Sequence, residues 1–126
     1  MKIASILENQ KIEKRIAITP EIAKKYISLG FEVFLSENYG DHLGFKDKEY
    51  KELGVKISNN ENEIITSADV IIQLGLPSDD KISHIKENQI LIGVFNPYNN
   101  KEKIENLAKK NIYAKKFFIF LFDLIS

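Results

Sequence analysis

Arg15 is the side chain in this sequence best suited to hold an anion. Its planar guanidinium can grip a carboxylate or phosphate through two parallel hydrogen bonds. It lies in a long polar stretch, Glu8–Ile18, between a short apolar run, Ile3–Ile6, and a helix-start signal, Thr19-Pro20-Glu21. The alternative is a surface arginine paired with Glu13 or Glu8. Gln73 and Asn96 could hydrogen-bond a ligand, and Tyr98 could be a platform for one, but strand, turn and loop-anchor roles fit them equally. No catalytic set can be assembled. Ser83-His84 has no nucleophile elbow, and Asp79-Asp80 reads as a helix-start pair. No G-x-G-x-x-G follows any strand and no G-x-x-x-x-G-K-[ST] occurs, so no dinucleotide or phosphate-loop fingerprint is present. His42 and His84 lack ligand spacing, and with no cysteine there is no thiolate site; no metal site is expected.

The elements that would position these residues alternate. Lys2–Ile6, Phe31–Leu35, Val55–Ile57, Asp69–Leu74, Gln89–Phe95 and Asn111–Ala114 read as strands. Pro20–Leu29, Asp47–Leu53, Asn60–Ser67, Ser78–Lys86 and Lys101–Lys110 read as helices, with Thr19, Asp47 and Ser78 as caps and Gly30 and Gly54 as stops. Strands separated by helices imply a parallel, flavodoxin- or Rossmann-like α/β sheet with helices on both faces. Asp69–Leu74 and Gln89–Phe95 are the most apolar strands and are expected near its centre. The loops Glu8–Ile18, Gly75–Ser78 and Asn96–Asn100 would then meet at the carboxyl edge, where such sheets receive ligands. The apolar run Phe117–Phe122 is too short to span a bilayer. It could be a buried strand or helix, or an aggregation-prone segment if nothing covers it.

The chain has 126 residues, suited to one domain, and 44% apolar residues, enough for a core. A formal net charge of zero, with lysines interleaved among glutamates, gives no basis for a nucleic-acid or anionic-membrane partner. No signal peptide is visible, so the cytoplasm is the default compartment.

Residues 1–114 resemble the N-terminal domain shared by alanine dehydrogenase and the alpha subunit of proton-translocating NAD(P) transhydrogenase. The opening stretch carries most of the likeness: Glu8-Asn9, then Glu13-Lys14-Arg15-Ile16-Ala17-Ile18-Thr19-Pro20-Glu21. Leu29–Val33, Gly40 through Gly44-Phe45 with Asp47 and Tyr50, Ala68–Ile71 and Pro77 follow in the family's order. Alanine dehydrogenases carry a substrate lysine and a substrate histidine at places filled here by Gly75 and Asn96, and neither replacement supplies charge or shuttles a proton. Arg15, the third substrate-contacting position of that branch, is kept. Pro97 is similar to the transhydrogenase branch.

The resemblance therefore implies the transhydrogenase branch, an oxidoreductase that passes hydride between NAD(H) and NADP(H) and couples this to proton translocation. It implies NAD bound mainly by a following Rossmann domain, NADP on a partner component, a membrane component, a homodimer in the full enzyme, and a place at the cytoplasmic face of the inner membrane. An alanine dehydrogenase-like domain and a non-enzymatic small-carboxylate-binding module are the other readings. Residues 115–126 depart from the family pattern, which a truncated or frame-shifted product would explain. On that reading the chain alone transfers no hydride.

Overall fold

The structure, a computed structural model, describes residues 1–93 and the backbone of residues 117–119. The elements are β1 (Lys2–Ser5), α1 (Pro20–Ser28), β2 (Glu32–Ser36), a 3-10 turn (Asp41–Leu43), α2 (Asp47–Glu52), β3 (Lys56–Ser58), α3 (Glu61–Ser67), β4 (Val70–Gln73), α4 (Asp79–Ile82), β5 (Ile90–Gly93) and β6 (Phe117–Ile119). The strands form one sheet in the order β3-β2-β1-β4-β5-β6, and every pairing is parallel. This is the doubly wound order in which the chain starts mid-sheet, builds outward to one edge, then returns to build the other. The reversal falls between β1 and β4, where Ile3 pairs with Val70 and Ala4 with Ile71.

Alternation along each strand divides the core. Ala4, Ile71 and Leu91 join Ile64 and Ile65 of α3 and Ile82 of α4 on one face. Ile3, Val33, Leu35 and Val70 join Ile18, Ala23 of α1 and Tyr50 of α2 on the other. Both faces are thus covered by helices, as expected of a parallel sheet whose strands read as apolar runs. β4 is central as its composition implied; β1 is its equal, and β5 lies next outward.

Local signals explain the helix ends. The Thr19 hydroxyl accepts from the Ile22 N–H at 3.3 Å, with Pro20 in the first turn. Gly30 (φ +95°) ends the chain's run out of α1. Asn60 caps α3 by accepting from the Glu63 N–H at 3.1 Å.

Two helix readings need correction. Asp47 is not the cap of α2. Lys46 holds that position, and the Asp47 carboxylate instead accepts the Asn38 N–H, 3.1 Å from each oxygen. The expected helix Ser78–Lys86 is cut to Asp79–Ile82, and Ser78 makes no side-chain cap bond. Beyond it the backbone tightens into turns, with His84 N–H to Lys81 O and Ile85 N–H to Ile82 O. The Ser83 hydroxyl takes the Asp80 carbonyl, and the Gln89 side chain takes the Lys86 N–H, so the helical ladder has local competitors. Within the apolar run at 117–122, Phe117–Ile119 form β6 beside β5. The loop 96–100, the helix expected at 101–110 and the strand expected at 111–114 lie outside the described residues.

Candidate functional site

The loops after β1 and β4 meet at the point of sheet reversal, as the sequence reading expects. The contact is made by Glu8, which is 6% exposed. Its Oε2 accepts the Leu74 N–H at 2.8 Å and the Gln73 Nε2–H at 3.1 Å, and its Oε1 accepts the Gly75 N–H at 3.0 Å. A β-carbon built on Gly75 would lie 3.3 Å from Glu8 Oε1, so the close approach depends on the missing side chain.

Gln73 is 2% exposed, and both ends of its amide are used internally. Its Oε1 accepts the Ile6 N–H at 2.7 Å and faces Ser5 Oγ at 3.0 Å, while its Nε2 also donates to the Ile6 carbonyl at 3.1 Å. It therefore copies a strand pairing where β1 and β4 part, and it orients Glu8. Proton counting fixes the rest of the chain of bonds. The Tyr39 oxygen accepts the Ala17 N–H at 3.1 Å and the Ile18 N–H at 3.2 Å. Its own proton then goes to Ser5 Oγ at 2.8 Å, and Ser5 donates to the Ile72 carbonyl at 2.6 Å or to Gln73 Oε1. Tyr50 packs edge-on against Tyr39 and donates to the Ile18 carbonyl at 2.8 Å. Both ends of the Arg15 loop are thus anchored to one buried polar network, through Glu8 at its start and through Ala17 and Ile18 at its end.

Burial dominates the electrostatics. Desolvation raises the Glu8 pKa above the ordinary carboxylate value, opposed by the Leu74 and Gly75 N–H groups; Glu13 raises it further and Arg15 lowers it. Burial pushes the Tyr39 hydroxyl up to about 12, so it stays protonated and keeps its donor role. Burial also raises Tyr50. Glu13 is held below the usual range, first by its hydrogen bond from Arg15.

Arg15 forms an ion pair with Glu13. Its side chain is 71% exposed and lies flat on Glu13, Nε to Oε2 at 3.0 Å and Nη2 to Oε1 at 2.9 Å. The fork that could take a ligand carboxylate here takes that of Glu13. Two shallow clefts flank the meeting loops. One lies between Leu7, Glu8 and Asn9 and the Leu76–Ser78 turn, with Glu61 and Lys81 (3.5 Å apart) on its wall. The other runs from Ile12 and Glu13 to Gly75 and Leu76. Arg15 lines neither. Asn96 and Tyr98 lie outside the described residues. His42 spans to the Lys14 carbonyl at 2.8 Å, a structural contact. Among the described residues no group of acidic and histidine side chains could hold a metal ion, and no helix is long and apolar enough to cross a membrane.

Sequence reasoning singled out Gln73 as a residue that could hydrogen-bond a ligand, and did not foresee its pairing within the chain or the roles of Glu8 and Tyr39. The signal for Glu8 was an acidic residue just past a buried strand. Its partners lie 65 to 67 positions away and become neighbours only through the β1–β4 pairing.

Comparisons with known proteins agree with the fold. Residues 6–117 match the family model for the alanine dehydrogenase/PNT N-terminal domain. The first of the separately named pieces of the NAD(P) transhydrogenase alpha subunit is 41% identical in Rickettsia prowazekii, over 89% of the chain. Its counterpart in Rhodospirillum rubrum is 31% identical over 90% of the chain. The chain spans 30% and 31% of the lengths of these relatives. A solved transhydrogenase from Sinorhizobium meliloti superposes with a TM-score of 0.78 at 28% identity, over 97% of this chain and 35% of that one. An L-alanine dehydrogenase structure superposes with a TM-score of 0.79 over 87% of this chain and 30% of that one; at 20% identity it shows the shared fold. Alanine dehydrogenase relatives are more distant in sequence, at 25% identity for that of Halomonas elongata. The chain belongs to the alanine dehydrogenase/PNT N-terminal domain family.

Proposed function

We propose that this chain supplies the N-terminal domain, residues 1–114, of the alpha component of a proton-translocating NAD(P) transhydrogenase. In that enzyme NAD(H) is held mainly by a following Rossmann domain, NADP sits on another component, and a membrane component couples hydride transfer to proton movement. The domain would work at the cytoplasmic face of the inner membrane, within a dimeric subunit.

The observation that carries this reading is the closed crevice at the sheet reversal. In a doubly wound sheet a dinucleotide phosphate sits there on free backbone N–H groups of a glycine-rich turn. Here the segment after β1 is Leu7-Glu8-Asn9-Gln10, without glycine, and the N–H groups of Leu74 and Gly75 are taken by a carboxylate. A phosphate in that place would meet like charge, so the described residues at the reversal do not fit a dinucleotide phosphate. Gly75, at the place that the family's amino-acid dehydrogenases fill with lysine, supports the transhydrogenase branch over amino-acid turnover. The described residues then have a mechanical role. Glu8, Gln73 and Tyr39 hold the Arg15 loop rigid, so that this edge of the domain can form one wall beside a nucleotide carried elsewhere.

The test is a titration of the isotopically labelled chain with NADH and with pyruvate, followed by amide NMR. The expected result is no saturable response to pyruvate and at most weak binding of NADH, with hydride transfer appearing only when the remaining components are added. Saturable pyruvate binding without nucleotide binding would overturn the proposal in favour of a small-carboxylate-binding module.

A further inference from the structure

The three donors that converge on Glu8 form a carboxylate receptor, and its ligand is part of the chain. We propose that the Gln73 Nε2–H and the Leu74 and Gly75 N–H groups constitute a small-carboxylate seat, which Glu8 occupies as a tethered ligand and which a free monocarboxylate enters when Glu8 is removed.

Four observations carry this. The donors come from three consecutive residues, at 3.1, 2.8 and 3.0 Å from the two carboxylate oxygens, so they are matched to a planar two-oxygen group. Gln73 is fixed by its bonds to Ser5 and both polar groups of Ile6, which keeps Nε2 aimed at the seat whether or not it is filled. Gly75 carries no β-carbon where one would stand 3.3 Å from the bound oxygen. Glu8 and Gly75 also line both clefts, so a ligand can reach the seat from solvent once the tethered carboxylate is gone.

Tethering accounts for specificity. A side chain already poised over the seat competes at an effective concentration on the order of millimolar or higher, so free carboxylates are shut out of the natural chain. The same bond holds down the start of the Arg15 loop, so filling the seat from solution and releasing that loop are two sides of one exchange.

Chemical rescue tests the assignment. In Glu8→Ala, sodium acetate should shift the Leu74 and Gly75 amide signals saturably and raise the melting temperature, with sodium chloride at equal ionic strength inert. Half-saturation should come at a concentration at least about tenfold below any response of the unsubstituted chain. A folded Glu8→Ala chain whose Leu74 and Gly75 signals ignore acetate would overturn the proposal, as would an equal response in the unsubstituted chain. Should Glu8→Ala fail to fold in chloride, folding itself becomes the readout: saturating acetate should restore the folded amide spectrum, and a Glu8→Ala chain that stays unfolded in acetate while Glu8→Gln folds would overturn the proposal. None of these readouts depends on NADH or on the other transhydrogenase components, so the seat and the enzyme assignment can fail separately.

Discussion

Two hydroxyls in the buried network look alike yet do unequal work. The Tyr39 oxygen satisfies two backbone N–H groups and gives its proton to Ser5, whereas Tyr50 makes one bond to a carbonyl. Removing a partner from a buried donor exposes the full desolvation penalty of what is left. Tyr39→Phe should therefore cost about 2 kcal/mol and Tyr50→Phe about 1 kcal/mol in urea unfolding; equal losses would mean that the Ala17 and Ile18 N–H groups find water instead. Glu8 gives a pH signature of known sign. Its folded-state pKa is raised by burial, so between the ordinary glutamate value and that raised value the folded chain binds more protons than the unfolded one. Its contribution therefore favours folding more as pH falls through the raised pKa and is lost as pH rises through it. The stability of the natural chain relative to Glu8→Gln should grow on acidification from neutral pH and level off below the ordinary value. Glu13 has the opposite sign: its lowered pKa gives stability that is present at neutral pH and lost as pH falls through its folded value.

At the scale of elements, the turn from β2 into α2 is tightly constrained at its glycines. A β-carbon on Gly40 would stand 2.9 Å from Phe45 Cβ, closer than real β-carbons come, and 3.0 Å from the Phe45 carbonyl oxygen, tighter than most contacts. At Gly44 nothing lies within 4 Å, but φ is +86°, so an added side chain meets only backbone strain. Gly40→Ala should cost roughly 1–3 kcal/mol through forced displacement, and Gly44→Ala about 1 kcal/mol through its left-handed backbone. Urea midpoints in the reverse order would mean that the Phe45 segment yields freely. Thr19→Ala, which removes the side-chain cap of α1, should cost about 1 kcal/mol by the same measurement. Element boundaries are legible where a side chain settles them locally, as Thr19 and Asn60 do. Asp47 and Ser78 both read as caps, but Asp47 lies inside α2 and Ser78 holds the cap position of α4 without a side-chain bond, because a capping residue type does not reveal its partner. Asp47 is spent on the Asn38 N–H across a turn, and Ser78 on no cap bond at all.

The whole molecule adds what no local pattern holds, the order of strands. Alternating strands and helices make a parallel two-faced sheet legible, and the apolar run Val70–Gln73 marks β4 as central. The short run Lys2–Ser5 carries no comparable signal, yet β1 pairs with both β2 and β4 and stands at the sheet's turning point. The site follows from that placement. Glu8 and Gly75 are distant in sequence, and only the register of Ile3 on Val70 and Ala4 on Ile71 brings their loops together. Protection against exchange should follow the same order. Ala4 and Ile71 are 1% exposed residues in strands flanked on both sides, so opening their amides requires breaking the sheet in two. β3 is a three-residue edge strand with a partner on one side, and it opens by fraying. Native-state hydrogen exchange should therefore find β1 and β4 slowest, near the global unfolding limit, β2 and β5 next, and β3 fastest. Glu8→Ala should speed exchange at Ile6 and Leu74, where the β1 and β4 loops part, before it speeds exchange at Val33 in β2. Uniform acceleration across the sheet would mean instead that the Glu8 contact is inseparable from the global core and does not act as a local clasp on the Arg15 loop.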